Sequence, residues 1–162
     1  MTALLDSPPP HSDDAEISVL GACLLDIEAA RMCSTDLTPE DFYKTAHADI
    51  FRAALAVLDA NARPDLVTVQ AELVRTAKLD AVGGPSYLRE LIDAVPSSAN
   101  CEYYAGIMRE KAELRTAQIR ACRIAEAVGK ELDIPVLAFD VPYSPGRLSE
   151  QVVNRVQGFV EL

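Results

Sequence analysis

Residues 101–132 contain no proline and only two glycines, Gly106 and Gly129. Those 32 positions read as a single helix about 48 Å long at a rise of 1.5 Å per residue. Along it runs a stripe of Ile107, Leu114, Ala117, Ala121, Ala125, Val128 and Leu132, broken only where Lys111 fills one step. The small members of that stripe allow close approach of another helix. Ser149 can cap a final helix, in which Val152, Val153, Val156, Phe159 and Val160 follow the i, i+1, i+4, i+7, i+8 pattern. Residues 148–162 reach only about 22 Å, so this last helix covers half of the long one. The simplest arrangement buries the first half of the long helix against a head and pairs the second half in an antiparallel hairpin.

The preceding residues read as a head of short helices. Ser12 can cap the first of them, with Asp13, Asp14 and Glu16 placing negative charge at its positive end. Ile17, Leu20, Gly21, Leu24 and Leu25 form an amphipathic stripe. Gly21 costs about 1 kcal/mol there relative to alanine, which points to a close-packed neighbour. Thr38, Pro39, Glu40 and Asp41 combine a capping hydroxyl, proline at the first helical position and two carboxylates. A helix over residues 46–60 follows. Ile50, Phe51, Ala54, Leu55, Val57 and Leu58 cover more than half its circumference, so it is expected at the centre of the head. Thr68 opens a short helix with Val69, Leu73 and Val74; Pro85 opens another with Leu88, Leu91 and Ile92; and Pro96, Ser97 and Ser98 close that one and cap the next. The one strand-like run, residues 134–141, is interrupted by Pro135. The fold class is all-α. The expected divisions are a flexible lead-in (1–11) with three consecutive prolines, a helical head (12–100), and a hairpin (101–162) with a proline-containing tip (133–147).

Charge excludes some functions. The chain carries a formal net charge of −10. Residues 1–101 hold −9 of it and residues 102–162 hold −1. Nucleic-acid affinity comes mainly from neutralising phosphates, so direct DNA binding by this chain is not expected. No run of apolar residues approaches a membrane span, and Met1 to Pro10 lacks the basic-then-apolar order of a secretory signal. Cys23, Cys33, Cys101 and Cys122 form no C-x-x-C pair, and neither His11 nor His47 lies near them in sequence. A metal site is therefore not expected; partly buried free thiols in the cytoplasm are.

Chemistry-bearing motifs are nearly absent. Gly129-Lys130 is followed by Glu131 and has no glycine loop upstream, so no nucleotide or other cofactor is expected. Val82-Gly83-Gly84-Pro85 follows a helix and reads as a turn, not a phosphate cradle. His47, at the start of an apolar helix, reads as a structural histidine; His11 as a local cap or packing group. Asp13, Asp14, Glu40 and Asp41 sit at helix starts, where dipole compensation explains them. Arg109, Arg115, Arg120 and Arg123 alternate with Glu110, Glu113 and Glu126 as a solvated charged face.

A set of short segments, in order, resembles the N-terminal domain of bacterial replicative helicases of the DnaB family. They are Pro10-His11-Ser12, Ala15-Glu16, Ser18-Val19-Leu20-Gly21 and Leu24-Leu25-Asp26, then Leu37-Thr38-Pro39-Glu40-Asp41-Phe42-Tyr43, Ala46-His47 and Ile50-Phe51. Asp65-Leu66-Val67-Thr68-Val69, Leu73, Val82-Gly83-Gly84, Tyr87-Leu88, Leu91 and Val95-Pro96-Ser97-Ser98-Ala99-Asn100 continue it. Tyr104-Ala105, Ile107-Met108 and Arg109-Glu110-Lys111 end the matching series, within a likeness that runs from residue 10 to about 128.

The resemblance implies a head and hairpin that pair into a collar on a hexameric ring and dock primase or a helicase loader. The motor with its phosphate-binding loop would lie in a separate domain, and this chain stops where the linker to it would begin. It is thus expected to be either a piece of a helicase or a stand-alone homologue that binds a helicase collar and modulates it. The tip is longer and richer in proline than is usual in the family. The expected function is non-catalytic: self-association as a dimer or a ring of dimers, and partner docking. Hairpin residues Ile107, Leu114, Ile119, Ile124, Val128, Val153, Val156, Phe159 and Val160 are the expected interface. A different class, a small helical enzyme with a pocket in the head, would need converging polar groups there.

Overall fold

In a computed structural model of the protein, residues 9–95 and 97–131 are described. They form six α-helices and two 3₁₀ turns, with no strand among the described residues. The helices are α1 (Asp13–Leu25), α2 (Ile27–Asp36), α3 (Thr45–Asp59), α4 (Leu66–Arg75), α5 (Gly84–Asp93) and α6 (Cys101–Glu131). The 3₁₀ turns are Pro39–Asp41, between α2 and α3, and Ser98–Asn100, before α6. The chain divides into two compact units. One is His11–Glu113; the other combines Met1–Pro10 with Leu114–Leu162.

Local chemistry explains most helix boundaries. The Ser12 hydroxyl accepts from the Ala15 N–H at 3.3 Å and starts α1. Asp26 serves twice: its N–H closes α1 on the Ala22 carbonyl, and its carboxylate accepts from the Glu28 N–H to open α2. This back-to-back junction, with no breaking residue in front of α2, hides that helix from the hydrophobic periodicity, and α2 is an addition to the expected elements. Asp41 takes both the N–H and the hydroxyl of Thr38, completing the box that begins the first 3₁₀ turn. The short helix is capped by Asp65, which accepts from Val67 and Thr68 N–H, so it starts earlier than Thr68. Gly83 holds φ at +99°, a backbone conformation closed to most side chains, and Pro85 then fixes the first turn of α5.

Within His11–Glu113 the core is built around α1 rather than α3 alone. Ala15, Val19, Leu20, Ala22, Cys23 and Leu24 are all buried, so α1 is covered nearly all round. It packs against α2, α3 and α5. From α3 come Ile50, Phe51, Ala53, Ala54 and Val57, while α4 and α5 add Val69, Leu73, Leu88 and Leu91. Cys101, Ala105 and Met108 root α6 in the same core. Gly21 marks the closest approach. A β-carbon there would collide with the Leu91 carbonyl oxygen and lie 2.6 Å from Val95 Cγ2. The expected tight neighbour is therefore α5, through Leu91, together with Val95 two residues beyond its end.

In the other unit, the described residues are Pro9, Pro10 and the part of α6 from Leu114. Arg115 is buried and donates to the Pro10 carbonyl at 2.8 Å. It therefore leaves the solvated charged face to which its sequence neighbours pointed, whereas Arg109, Arg120 and Arg123 are exposed. At the start of the first unit, His11 stacks on Tyr43 with ring centroids 4.2 Å apart. The strand-like run at 134–141, the tip at 133–147 and the last helix lie outside the described residues.

Two outcomes follow from these contacts. Gly21→Ala is expected to destabilise the head by about 1–3 kcal/mol through overpacking against α5, read from urea unfolding. Four of the described carboxylates are held below their ordinary range: Asp65 by the Thr68 N–H, Asp26 by the Glu28 N–H and then the Ser98 hydroxyl, Asp13 by the Lys44 ammonium, and Glu72 by the Arg75 guanidinium. Because the unfolded chain takes up these protons first, their contribution is complete above about pH 5 and is lost as pH falls through the folded values. Asp65→Asn, which keeps a capping oxygen, is expected to flatten the fall of the unfolding midpoint below about pH 4.

Candidate functional site

Three polar side chains meet in the interior of the head. Glu16 on α1 is 1% exposed and His47 on α3 is 0% exposed. Glu16 Oε1 accepts the Tyr43 N–H at 2.6 Å, and Oε2 accepts the Lys44 N–H at 3.4 Å. His47 Nδ1 lies 2.6 Å from Glu16 Oε2, and Nε2 lies 2.6 Å from the Tyr87 hydroxyl on α5. One proton arrangement satisfies every group: Nδ1–H donates to the carboxylate, and Nε2 accepts from the Tyr87 O–H. Burial pushes the Tyr87 phenol above its ordinary value, which keeps it in this donor form.

Carboxylate, imidazole and hydroxyl in line is also the order of an acid–base relay. Here each member is already occupied. Tyr87 is the terminal donor, His47 is wholly enclosed, and Glu16 caps the entry to α3 from another helix. The cluster joins α1, α3 and α5 and works as a structural clasp. His47 thus stands where the sequence placed it, as a satisfied structural histidine. Glu16 lies in the first turn of α1 as expected, but it is in addition a buried long-range cap for the entry to α3. One signal existed. Glu16 is in helical register with the apolar Val19, Leu20 and Cys23.

A second cluster was not legible from spacing. Cys23 on α1, Cys33 on α2 and Cys101 at the start of α6 are all buried and free. The Sγ atoms of Cys33 and Cys101 are 3.3 Å apart. Hydrogen bonding to Cys101, together with burial, pushes the Cys23 and Cys33 thiols up. Among the described residues no group of three His, Cys, Asp or Glu side chains is arranged to hold a metal ion. No helix among them is long and apolar enough to cross a membrane.

The expected interface residues are distributed unevenly. Ile107 packs partly buried against the head core. Leu114 is 46% exposed and Ile119 is 38% exposed. Ala117 and Ala121, of the same expected stripe as Leu114, are exposed as well. Ile124 and Val128 fall in α6, but their side chains lie outside the description; Val153, Val156, Phe159 and Val160 lie outside the described residues altogether.

The profile of the DnaB-like helicase N terminal domain matches residues 8–110. The chain belongs to that family. It is 50% identical over 130 residues to the replicative DNA helicase DnaB of Geobacillus stearothermophilus, covering 80% of this chain and 29% of that protein. It is 45% identical over 127 residues to the replicative DNA helicase DnaC of Bacillus subtilis, covering 78% of this chain and 28% of that protein. The chain therefore spans less than a third of these relatives. Among solved structures, the N-terminal domain of DnaB helicase from Mycobacterium tuberculosis superposes with a TM-score of 0.70 at 35% identity, covering 94% of this chain and 98% of that one. A DnaB-like replicative helicase described with its interactions with primase superposes at a TM-score of 0.62 and 24% identity, covering 93% of this chain and 35% of that one. The all-helical head is thus the fold of the family, as the ordered short segments implied.

Removing one partner of the clasp tests its structural role. Tyr87→Phe leaves Nε2 of His47 without a donor and is expected to cost about 1–3 kcal/mol. Glu16→Ala, which also strands two backbone N–H groups, is expected to cost more, about 3–5 kcal/mol, in the same denaturation assay.

Proposed function

We propose that this chain is a non-catalytic oligomerisation and protein-docking module of a DnaB-like replicative helicase, acting in DNA replication in the cytoplasm. The observation that carries the reading is the match over residues 8–110, which ends inside α6 just before that helix presents exposed apolar side chains. Leu114 and Ile119 are large apolar groups on a helix surface, and contact with a second copy would remove them from water. Residues 101–162 would form the pairing hairpin, giving a dimer or a ring of dimers that builds the collar. Ile124, Val128, Val153, Val156, Phe159 and Val160 would extend the same interface, and Ile107 would mark its border with the head.

Primase is the first docking partner to test, since the similar helicase structure concerns interactions with that protein. A helicase loader is the other. The acidic head suits a basic protein surface and not a phosphate backbone. The enzyme reading loses ground on a specific point: the buried polar set of Glu16, His47 and Tyr87 in the described head is internally satisfied. A stand-alone role, joining and modulating a host helicase collar, would use the same surfaces.

Light scattering on the full chain at concentrations on the order of 10–100 µM is expected to give a dimer or larger. Leu114→Asp combined with Ile119→Asp is expected to weaken association by about tenfold or more, with helicity by circular dichroism unchanged. A strict monomer for the parent chain contradicts self-association. Recovery of neither helicase nor primase in a pull-down contradicts the replication role.

A further inference from the structure

We propose that Cys33 and Cys101 form a redox-sensitive lock that can join α2 to the root of α6 through a disulfide. The inference rests on the head geometry and is independent of the assembly reading above. The two sulfurs face each other at 3.3 Å across a sequence separation of 68 residues. A disulfide needs about 2.0 Å, so the approach required is small. Cys23 completes a three-thiol cluster with both. Apolar packing does not require three thiols to converge; Cys23 lies in α1 while Cys33 and Cys101 belong to the two elements that the bond would tie.

The co-reactant is a low-molecular-weight disulfide. The Cys101 sulfur, as thiolate, attacks one sulfur of that molecule, and the other half leaves as a thiolate. Cys33, deprotonated, then attacks the Cys101 sulfur of the mixed disulfide, forming the Sγ–Sγ bond and releasing the second half. The protein loses two protons and two electrons, and the small disulfide takes up both to become two thiols. Hydrogen bonding within the cluster supports this order, since it raises Cys33 and Cys23 through their bonds to Cys101.

Both sulfurs are buried, so the reaction requires local opening. The 3₁₀ turn Ser98–Asn100 is the entry. Ala99 and Asn100 are exposed, and the turn is fastened to the α1–α2 junction by the Ser98 hydroxyl donating to Asp26 at 2.9 Å. Once formed, the bond would hold the first turn of α6 against α2 and oppose any rotation of that helix at its root.

The test treats the native full chain with oxidised glutathione, blocks remaining thiols by alkylation and maps disulfides by mass spectrometry without reduction. The expected product has lost two hydrogens, contains a Cys33–Cys101 linked peptide, and shows a raised unfolding midpoint that dithiothreitol reverses. Cys23 and Cys122 are expected alkylated. Glutathione adducts alone, a disulfide to Cys23 in place of this pair, or an unchanged unfolding midpoint each overturn the lock. Ser98→Ala is expected to speed oxidation by about threefold or more; an unchanged rate overturns the assignment of this turn as the entry.

Discussion

The buried Glu16–His47 pair is the constraint on which the head depends. An ionised carboxylate inside a helical core is tolerable only when its oxygens are satisfied. Here the partners are two backbone N–H groups at the entry to α3 and the imidazole one turn further on. That requirement fixes the position of α3 relative to α1. Tyr87 then fixes α5, because the second imidazole nitrogen needs a donor at hydrogen-bond distance. Three helices are registered by one chain of bonds, and aliphatic packing fills in around them. Gly21 belongs to the same solution: with α5 drawn to α1, no β-carbon fits between them.

Much of this was readable from the residues. Caps and breakers at Ser12, at Thr38 with Pro39, and at Pro85 placed three starts correctly because each acts through its own neighbours. The sequence hid what depends on distant partners. Asp26 ends one helix and begins another, so α2 has no breaker in front of it. Glu16 looks like dipole compensation because Asp13 and Asp14 stand beside it, and only its phase with Val19, Leu20 and Cys23 sets it apart. The thiol cluster involves residues on α1, α2 and α6, and no local spacing announces it.

The long helix shows the same division. Its expected stripe is Ile107, Leu114, Ala117, Ala121, Ala125, Val128 and Leu132. The face actually sunk into the head is Cys101, Ala105, Met108 and Ala112, at steps of four, three and four. Three of these four side chains are small, so apart from Met108 the buried face carries little bulk and the helix can sit close to its neighbours. The expected stripe is thereby freed. Ile107 is partly covered, while Leu114, Ala117 and Ala121 face outward.

The same spacing runs on through Arg115, which is buried, to Ile119, which is 38% exposed. Arg115 is the informative member. A guanidinium on a core-facing position is costly unless it finds an acceptor, and the Pro10 carbonyl supplies one. Its planar, always-charged group cannot be packed into an apolar core as Met108 is. At this spacing Arg115 is the last buried position before the exposed Ile119. One turn later, Ile119 returns to an apolar side chain at the same phase, now exposed. An apolar position that keeps phase with a buried stripe after the intramolecular core has ended has no function in the packing already described. In the assembly proposed above, Ile119 together with Leu114 would be removed from water by a second copy of the chain.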